Sequence, residues 1–182
     1  MAKTKNIPFT IRSFTAGDLA ACKRLYTEGL LSKSIAPNDT GVDIDNIQQV
    51  YMRKGANHFW VAVANDVVVG MLGVQHHEPG VGEIRRLRVV PQLRRKGIGS
   101  ALLETALAFC QQKSDVKVTL DTVMDRDIAI QLFEKFHFKH HKSKTVGDKE
   151  LLYFYLDLYS SEKSQKSAGK ETQKGLTQDG PG

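Results

Sequence analysis

At 182 residues, 41% hydrophobic and 25% charged, the chain is long enough for one globular domain of ordinary size with a real core. No apolar run is long enough to span a bilayer, and the opening MAKTKNIPF lacks the apolar stretch of a secretory signal. Cys22 and Cys110 each fall inside a predicted helix. They read as buried thiols rather than a disulfide or a nucleophile, which makes the cytoplasm the expected compartment.

Residues 7–14 predict a first strand. Thr15 and Asp18 then form a capping signal ahead of Leu19, Cys22, Leu25 and Leu30, which repeat at helical spacing. A loop follows at 32–40, around Pro37, Asn38 and Asp39. A second helix over 43–54 puts Ile44, Ile47, Val50 and Tyr51 on one face and stops at Gly55. Two apolar runs, 58–64 and 67–75, joined by Asn65 and Asp66, read as a hairpin with Trp60 in the core. His76 to Gly80 ends the second run, with His76 and His77 read as solvated turn residues rather than bases. The next strand, 83–90, holds an irregularity. Ile84, Leu87 and Val89 cannot share one face under strict alternation, so an extra residue near Arg86, a β-bulge, is expected there.

Pro91 stops that strand. A basic glycine turn leads into an amphipathic helix over 98–113, then a buried strand over 116–120 and a helix over 125–135 with Ile128, Leu132 and Phe133 on its apolar side. Residues 139–144 and 150–158 close the chain as a hairpin around Val146, Gly147 and Asp148. Residues 159–182 are almost without apolar side chains and cannot offset their ordering entropy, so they are expected to be a disordered tail after one domain over 1–158. This order of elements predicts an α+β fold, a mixed sheet packed by helices on both faces. His140 and His141 have no Asp, Glu or Cys at ligand spacing, and no metal is expected.

The turn Arg94-Arg95-Lys96-Gly97-Ile98-Gly99 carries the chemistry. A helix opening on glycines leaves its first amides unpaired at the positive end of its dipole, where phosphate binds. Gly97 and Gly99 would let the backbone approach a ligand closely, and the cations suit a pyrophosphate better than a single carboxylate. The P-loop would need Gly-Lys followed by Ser or Thr, and the dinucleotide fingerprint a third glycine where Leu102 stands. Neither fits. The net charge of +6 raises nucleic acid as a partner. However, the basic residues Arg85, Arg86, Arg88, Arg94, Arg95 and Lys96 gather around this turn without interleaved aromatic residues, so a small polyanion is the better reading.

The pattern Arg94-x-x-Gly97-x-Gly99, after a strand and before an amphipathic helix, resembles the central motif of the GCN5-related N-acetyltransferase superfamily. The resemblance covers about Ile11 to Leu158. The runs FWVAVANDVVVGMLGV and LRRKGIGSALLETALAFC look most like its camello-type branch, without that branch's membrane segment. The resemblance implies a mixed α/β sandwich, with a central, mostly antiparallel, splayed sheet and helices on both faces. It also implies transfer of acetyl from acetyl-coenzyme A to a primary amine, by direct attack in a ternary complex. Arg94, Arg95, Lys96, Gly97, Ile98, Gly99 and Ser100 would hold the pyrophosphate, with Arg126 also on the cofactor. Backbone groups of Leu87, Arg88 and Val89 would pair with the pantetheine arm and polarise the thioester carbonyl.

Glu83 looks like the strand glutamate that serves as general base in protein-lysine acetyltransferases. The other reading is a solvated strand-end glutamate paired with Arg85 or Arg86. The family pattern Asn-x-x-Ala-x-x-Leu-Tyr-Glu-Lys-x-Gly-Phe aligns with Arg126, Ala129, Leu132, Phe133, Glu134, Lys135, His137 and Phe138. Arg126 replaces Asn, Phe133 replaces Tyr and His137 replaces Gly. Phe133 has no hydroxyl to protonate the leaving thiolate, so water, Tyr153 or Tyr155 would stand in. The implied partners are acetyl-coenzyme A and an amine on a small molecule or protein, with no membrane, and a homodimer stays open. Two rivals remain: a non-catalytic acyl-coenzyme A binding module, and a nucleic-acid binder.

Overall fold

A computed structural model describes residues 7–28, 39–53, 55–123 and 127–159. In chain order these form β1 (Thr10–Ser13), a 3-10 turn (Ala16–Asp18) running into α1 (Leu19–Glu28), the one-turn helices α2 (Val42–Asp45) and α3 (Ile47–Val50), β2 (His58–Ala64), β3 (Val67–Glu78) and β4 (Val81–Val89). A 3-10 turn (Pro91–Leu93), α4 (Ile98–Gln112), β5 (Lys117–Val123), α5 (Asp127–Lys135), β6 (Lys139–Val146) and β7 (Lys149–Asp157) follow. All of the expected 159–182 tail except Tyr159, most of the loop at 32–40 and Arg126 lie outside the described residues.

The strands form one seven-stranded sheet in the order β1-β2-β3-β4-β5-β7-β6. Its neighbours are antiparallel except β4 and β5. Alternation along β2 explains why the sheet is covered twice. Phe59 and Val61 join Cys22, Leu25, Ile44, Ile47, Tyr51 and Met71 under α1 to α3. Trp60 and Ala62 turn the other way, into the core beneath α4 and α5 with Leu72, Val74, Ile84, Leu102, Leu103, Phe133 and Phe154. Leu102 and Leu103 are fully buried, each stabilising the fold by about 1.5–3 kcal/mol through loss of apolar surface from water.

The expected α+β sheet with helices on both faces is present, and so is the bulge. Arg88 stands opposite Met71 and Arg85 opposite Gly73, so two residues of β4, Arg86 and Leu87, face the single Leu72. Arg86 takes φ 60°. The extra residue brings Ile84, Leu87 and Val89 to the same core. The capping signal is also real, with the Thr15 amide donating to Asp18 Oδ2 at 2.8 Å.

Other boundaries differ from expectation. The helix expected over 43–54 is broken at Asn46, whose backbone leaves the helical region and whose side chain donates to the Val42 carbonyl. Side-chain bonds of this kind compete with the helical ladder. β1 is shorter than 7–14. β3 runs on through His76 and His77 to Glu78, because His76 is paired with Gly82 on β4. β4 starts at Val81 and β5 reaches Val123, three residues past the expected end. Among the described residues, no helix is long and apolar enough to cross a membrane.

Candidate active site

The site is made by two strands that start together and part. β4 and β5 pair only at Val81 with Lys117, Gly82 with Val118 and Glu83 with Thr119. Beyond that point β4 stays with β3 up to Val89, and β5 stays with β7 up to Val123. The edge of β4 after Glu83 is therefore open. The Val90 amide donates to the Val69 carbonyl, so strand alternation turns the backbone groups of Leu87 and Val89 away from β3, toward the gap. The Leu87 carbonyl accepts a bond from Arg88 Nη1 at 3.0 Å and the Val89 carbonyl one from Arg94 Nε at 3.2 Å. Arg88 differs: its backbone pairs with Met71, and its side chain lines the gap. The resulting slot, about 300 Å³, is walled by Ile84, Leu87 and Arg88 of β4, Leu120 to Val123 of β5, Ala129 and Phe133 of α5, and Tyr153 of β7.

β4 leads to the glycine turn. Arg95 and Gly97 both take left-handed backbone, φ 58° and 85°, a geometry that turns successive amides toward one anion. The first intrahelical bond runs from the Ala101 amide to the Gly97 carbonyl, so the amides of Ile98, Gly99 and Ser100 precede the ladder of α4. The two glycines have different duties, which corrects the sequence expectation. A Cβ on Gly97 would meet nothing within 4 Å, whereas one on Gly99 would lie 3.3 Å from Leu132 Cδ2 of α5. Gly97 serves the turn, and Gly99 serves packing between α4 and α5. Open space at Gly97, amides outside the ladder, and Arg94, Arg95 and Lys96 beside them suit a diphosphate. The slot alongside suits a narrow uncharged arm.

Glu83 sits at the point of divergence. Its carboxylate lies 3.0 Å from Arg85 Nη1 and 3.2 Å from His77 Nε2, and its side chain is 22% exposed. Register places Glu83, Thr119 and Tyr155 side by side across β4, β5 and β7, with Asp121 and Tyr153 two residues further along the same face. On that face a groove of about 630 Å³ runs past Glu83, Asp121, His141, Tyr153 and Tyr155. Glu83, Asp121 and Tyr153 line both slot and groove, while Tyr155 lines the groove alone. Phe133 lies in the slot wall, its ring packed on Phe138 and Phe154.

Two groups lie where the sequence reading did not put them. Arg86 does not belong to the cationic cluster at the turn. Its side chain is 6% exposed and grips two carboxylates, Asp39 through Nη1 at 2.6 Å and Nη2 at 2.8 Å, and Asp43 through Nε at 2.8 Å and Nη2. Burial alone would lower its pKa, and the bonds to Asp43 and Asp39 outweigh that and raise it. His76 is partly buried rather than solvated, Nε2 2.7 Å from Asp115 Oδ2. The sequence reading ends β5 at Leu120, three residues too early, and so misses Asp121; carried to Val123, alternation puts Asp121 on the same face as Thr119, which pairs with Glu83. Burial pushes both thiols up, Cys22 and Cys110 each to about 12. Among the described residues, no group of three His, Cys, Asp or Glu is placed to hold a metal ion.

The model of the acetyltransferase (GNAT) family matches residues 22–138, well over half of the chain. The chain belongs to that family. Among its curated relatives, the N-acetylaspartate synthetase of Xenopus tropicalis is 35% identical over 99 residues, 54% of this chain and 36% of the relative. The Xenopus laevis protein named probable N-acetyltransferase camello is 32% identical over 99 residues, 53% and 45% of the two chains. The GNAT chain therefore spans less than half the length of these relatives. Solved structures agree on the fold. An acetyltransferase of the GNAT family from Staphylococcus aureus superposes with a TM-score of 0.71 at 19% identity, over 83% of this chain and 99% of that one. A Salmonella typhimurium protein bound to its cofactor acetyl-CoA gives 0.70 at 21% identity, over 82% and 94%.

Proposed function

We propose that this chain is an acetyl-CoA-dependent N-acetyltransferase acting on a primary amine by direct attack. The observation that carries the reading is the parting of β4 from β5 immediately after Glu83, beside a helix that opens at Gly97 with amides outside its ladder. In this reading Arg94, Arg95, Lys96 and the amides of Ile98, Gly99 and Ser100 hold the diphosphate. Leu87 and Val89 hold the arm along the open strand edge, and a Leu87 or Val89 amide takes up the charge that develops on the thioester oxygen. An acyl thioester supplies the transferable acetyl group when bound.

The amine nitrogen bonds to the acetyl carbon as the carbon–sulfur bond breaks. Glu83, reached from both slot and groove, takes the proton that the amine must lose, and Tyr153 returns one to sulfur in place of the hydroxyl that Phe133 lacks. Neither cysteine is suited to carry the acyl group, because both thiols are buried and stay protonated at neutral pH. The relatives named for N-acetylaspartate act, by that name, on an amino acid. Arg85 and Arg88 in the slot wall give a carboxylate-bearing amine a place to bind. Free cysteines and a single domain over 1–158 fit a cytoplasmic enzyme.

The test is an acceptor screen by thiol release, covering aspartate and other amino acids, cysteine conjugates, peptide N-termini and polyamines. Release that depends on one amine class and on acetyl-CoA supports the reading. Calorimetric binding of acetyl-CoA with no release across the panel selects the rival that Phe133 favours, a module that binds acyl-CoA without turnover.

A further inference from the structure

We infer that Arg86 is a positioning residue for this reaction, its side chain holding the left-handed backbone of the β4 bulge in place and fixing Asp39 in the slot wall. The inference rests on the acetyl-transfer reading for its kinetic arm and on the fold alone for its binding arm.

The backbone argument follows from register. Gly73 stands opposite Arg85 and Met71 opposite Arg88. Without the inserted residue, position 87 would pair with β3 and spend its amide and carbonyl there. With it, Leu87 faces the slot, and every side chain after it changes face. The insertion requires a left-handed backbone at residue 86, φ 60°, in a residue that is not glycine and carries that strain. Something must hold it there.

The side chain is what holds it. The guanidinium is flanked by two carboxylates, Asp39 and Asp43, and lies 5.1 Å from the Tyr26 ring centroid. The carboxylates are themselves fixed. Asp43 accepts from the Tyr51 hydroxyl at 2.6 Å and Asp39 from the Gly41 amide at 3.2 Å. Tyr51 is fully buried, so the cluster is anchored in the core under α1 to α3. Asp39 lines the slot together with Glu83, so in the acetyl-transfer reading it stands in the cavity where the amine loses its proton. One side chain therefore ties the layer of α1 to α3 to the strand that, in that reading, grips the thioester arm. A bidentate fork on two carboxylates has a defined orientation that a lysine cannot copy.

The two duties separate by substitution. Arg86→Gly removes the guanidinium but adopts φ 60° without strain, whereas Arg86→Ala removes it and keeps the strain. Both are made in an Asp39→Asn, Asp43→Asn background, so that no unpaired buried carboxylate unfolds the chain, and both are checked by circular dichroism and thermal melting. Against wild type, the Gly variant should raise the acceptor KM about tenfold, with kcat and acetyl-CoA affinity each within about twofold, because losing charge-assisted bonds to a wall residue has roughly that consequence. The Ala variant should in addition bind acetyl-CoA about fivefold or more weakly by calorimetry, as strain near ~1 kcal/mol relaxes the bulge. Arg86→Lys in the wild-type background should resemble the Gly variant in KM. Equal acetyl-CoA affinity in the Gly and Ala variants overturns the backbone half, whether or not an acceptor has been found. An unchanged acceptor KM in a folded Gly variant overturns the side-chain half.

Discussion

Gly97→Ala isolates the claim that the turn before α4 meets an anion with bare backbone. Gly97 has φ 85°, and a Cβ there would touch nothing within 4 Å. The fold loses only what an L side chain pays in the left-handed region, about 1–2 kcal/mol, or roughly 2–8 °C in Tm for a chain of this size. The methyl group projects into open space at the mouth of the turn. There it should displace a diphosphate from one or more amide bonds, each worth about 1.5–3 kcal/mol to a charged group, so acetyl-CoA affinity should drop about tenfold to a hundredfold. Gly99→Ala is the internal control. Its backbone is helical, alanine gains up to about 1 kcal/mol of helix propensity, and the contact is with the flexible end of Leu132 at 3.3 Å. Its Tm should stay within about 3 °C and its acetyl-CoA affinity within about threefold. Isothermal calorimetry with acetyl-CoA and thermal melts on the same samples read both effects. If Gly97→Ala binds as wild type does while Gly99→Ala loses binding, the division of labour between the two glycines is wrong. If neither variant changes affinity, the turn is not the diphosphate site.

Glu83→Gln should lower turnover at neutral pH about a hundredfold, the lower range for loss of a positioned base, and leave acetyl-CoA affinity within about twofold; a rate unchanged across the pH profile removes Glu83 from the mechanism. Tyr153→Phe should slow turnover about tenfold or more while Tyr155→Phe stays within about twofold, since only Tyr153 lines both cavities. Adding Phe133→Tyr to Tyr153→Phe should restore part of the rate, and equal effects of the two tyrosines would refute the assignment. Asp18 tests the stability of the first helix. Bonds from Arg12 at 2.7 and 2.9 Å, the larger cause, and those from Thr15 hold its carboxyl down to about 2. A depressed carboxylate stabilises the fold above its unfolded pKa and loses that contribution as pH falls from about 4 through about 2. Arg12 is 43% exposed, so solvent screening reduces the contribution to about 1–2 kcal/mol. Urea midpoints at about pH 6 and about pH 2.5 should converge for wild type and Asp18→Asn, and a constant gap between them would sink the assignment.

What was legible in the sequence depended on how local its cause was. The bulge could be read because three apolar residues of one strand, Ile84, Leu87 and Val89, were out of phase with a period of two, and any buried strand has to resolve that conflict within itself. The glycine turn could be read because positive φ and an uncapped helix start leave marks on adjacent residues. The break between α2 and α3 could not, since Ile44, Ile47 and Val50 satisfy one helical face whether or not Asn46 interrupts it. The placement of Arg86 and His76 was out of reach for a different reason. Their partners Asp39, Asp43 and Asp115 lie 47, 43 and 39 residues away in sequence, and no periodicity links charges at such separations. Electrostatic composition around Arg94 therefore suggested one cationic cluster where the fold makes two populations. Arg86 is neutralised beneath the layer of α1 to α3, and Arg94, Arg95 and Lys96 remain at the turn. Of these two, only the second can bear on a diphosphate, which makes the charge available to that group smaller, and more localised at the start of α4, than the net charge of +6 implies.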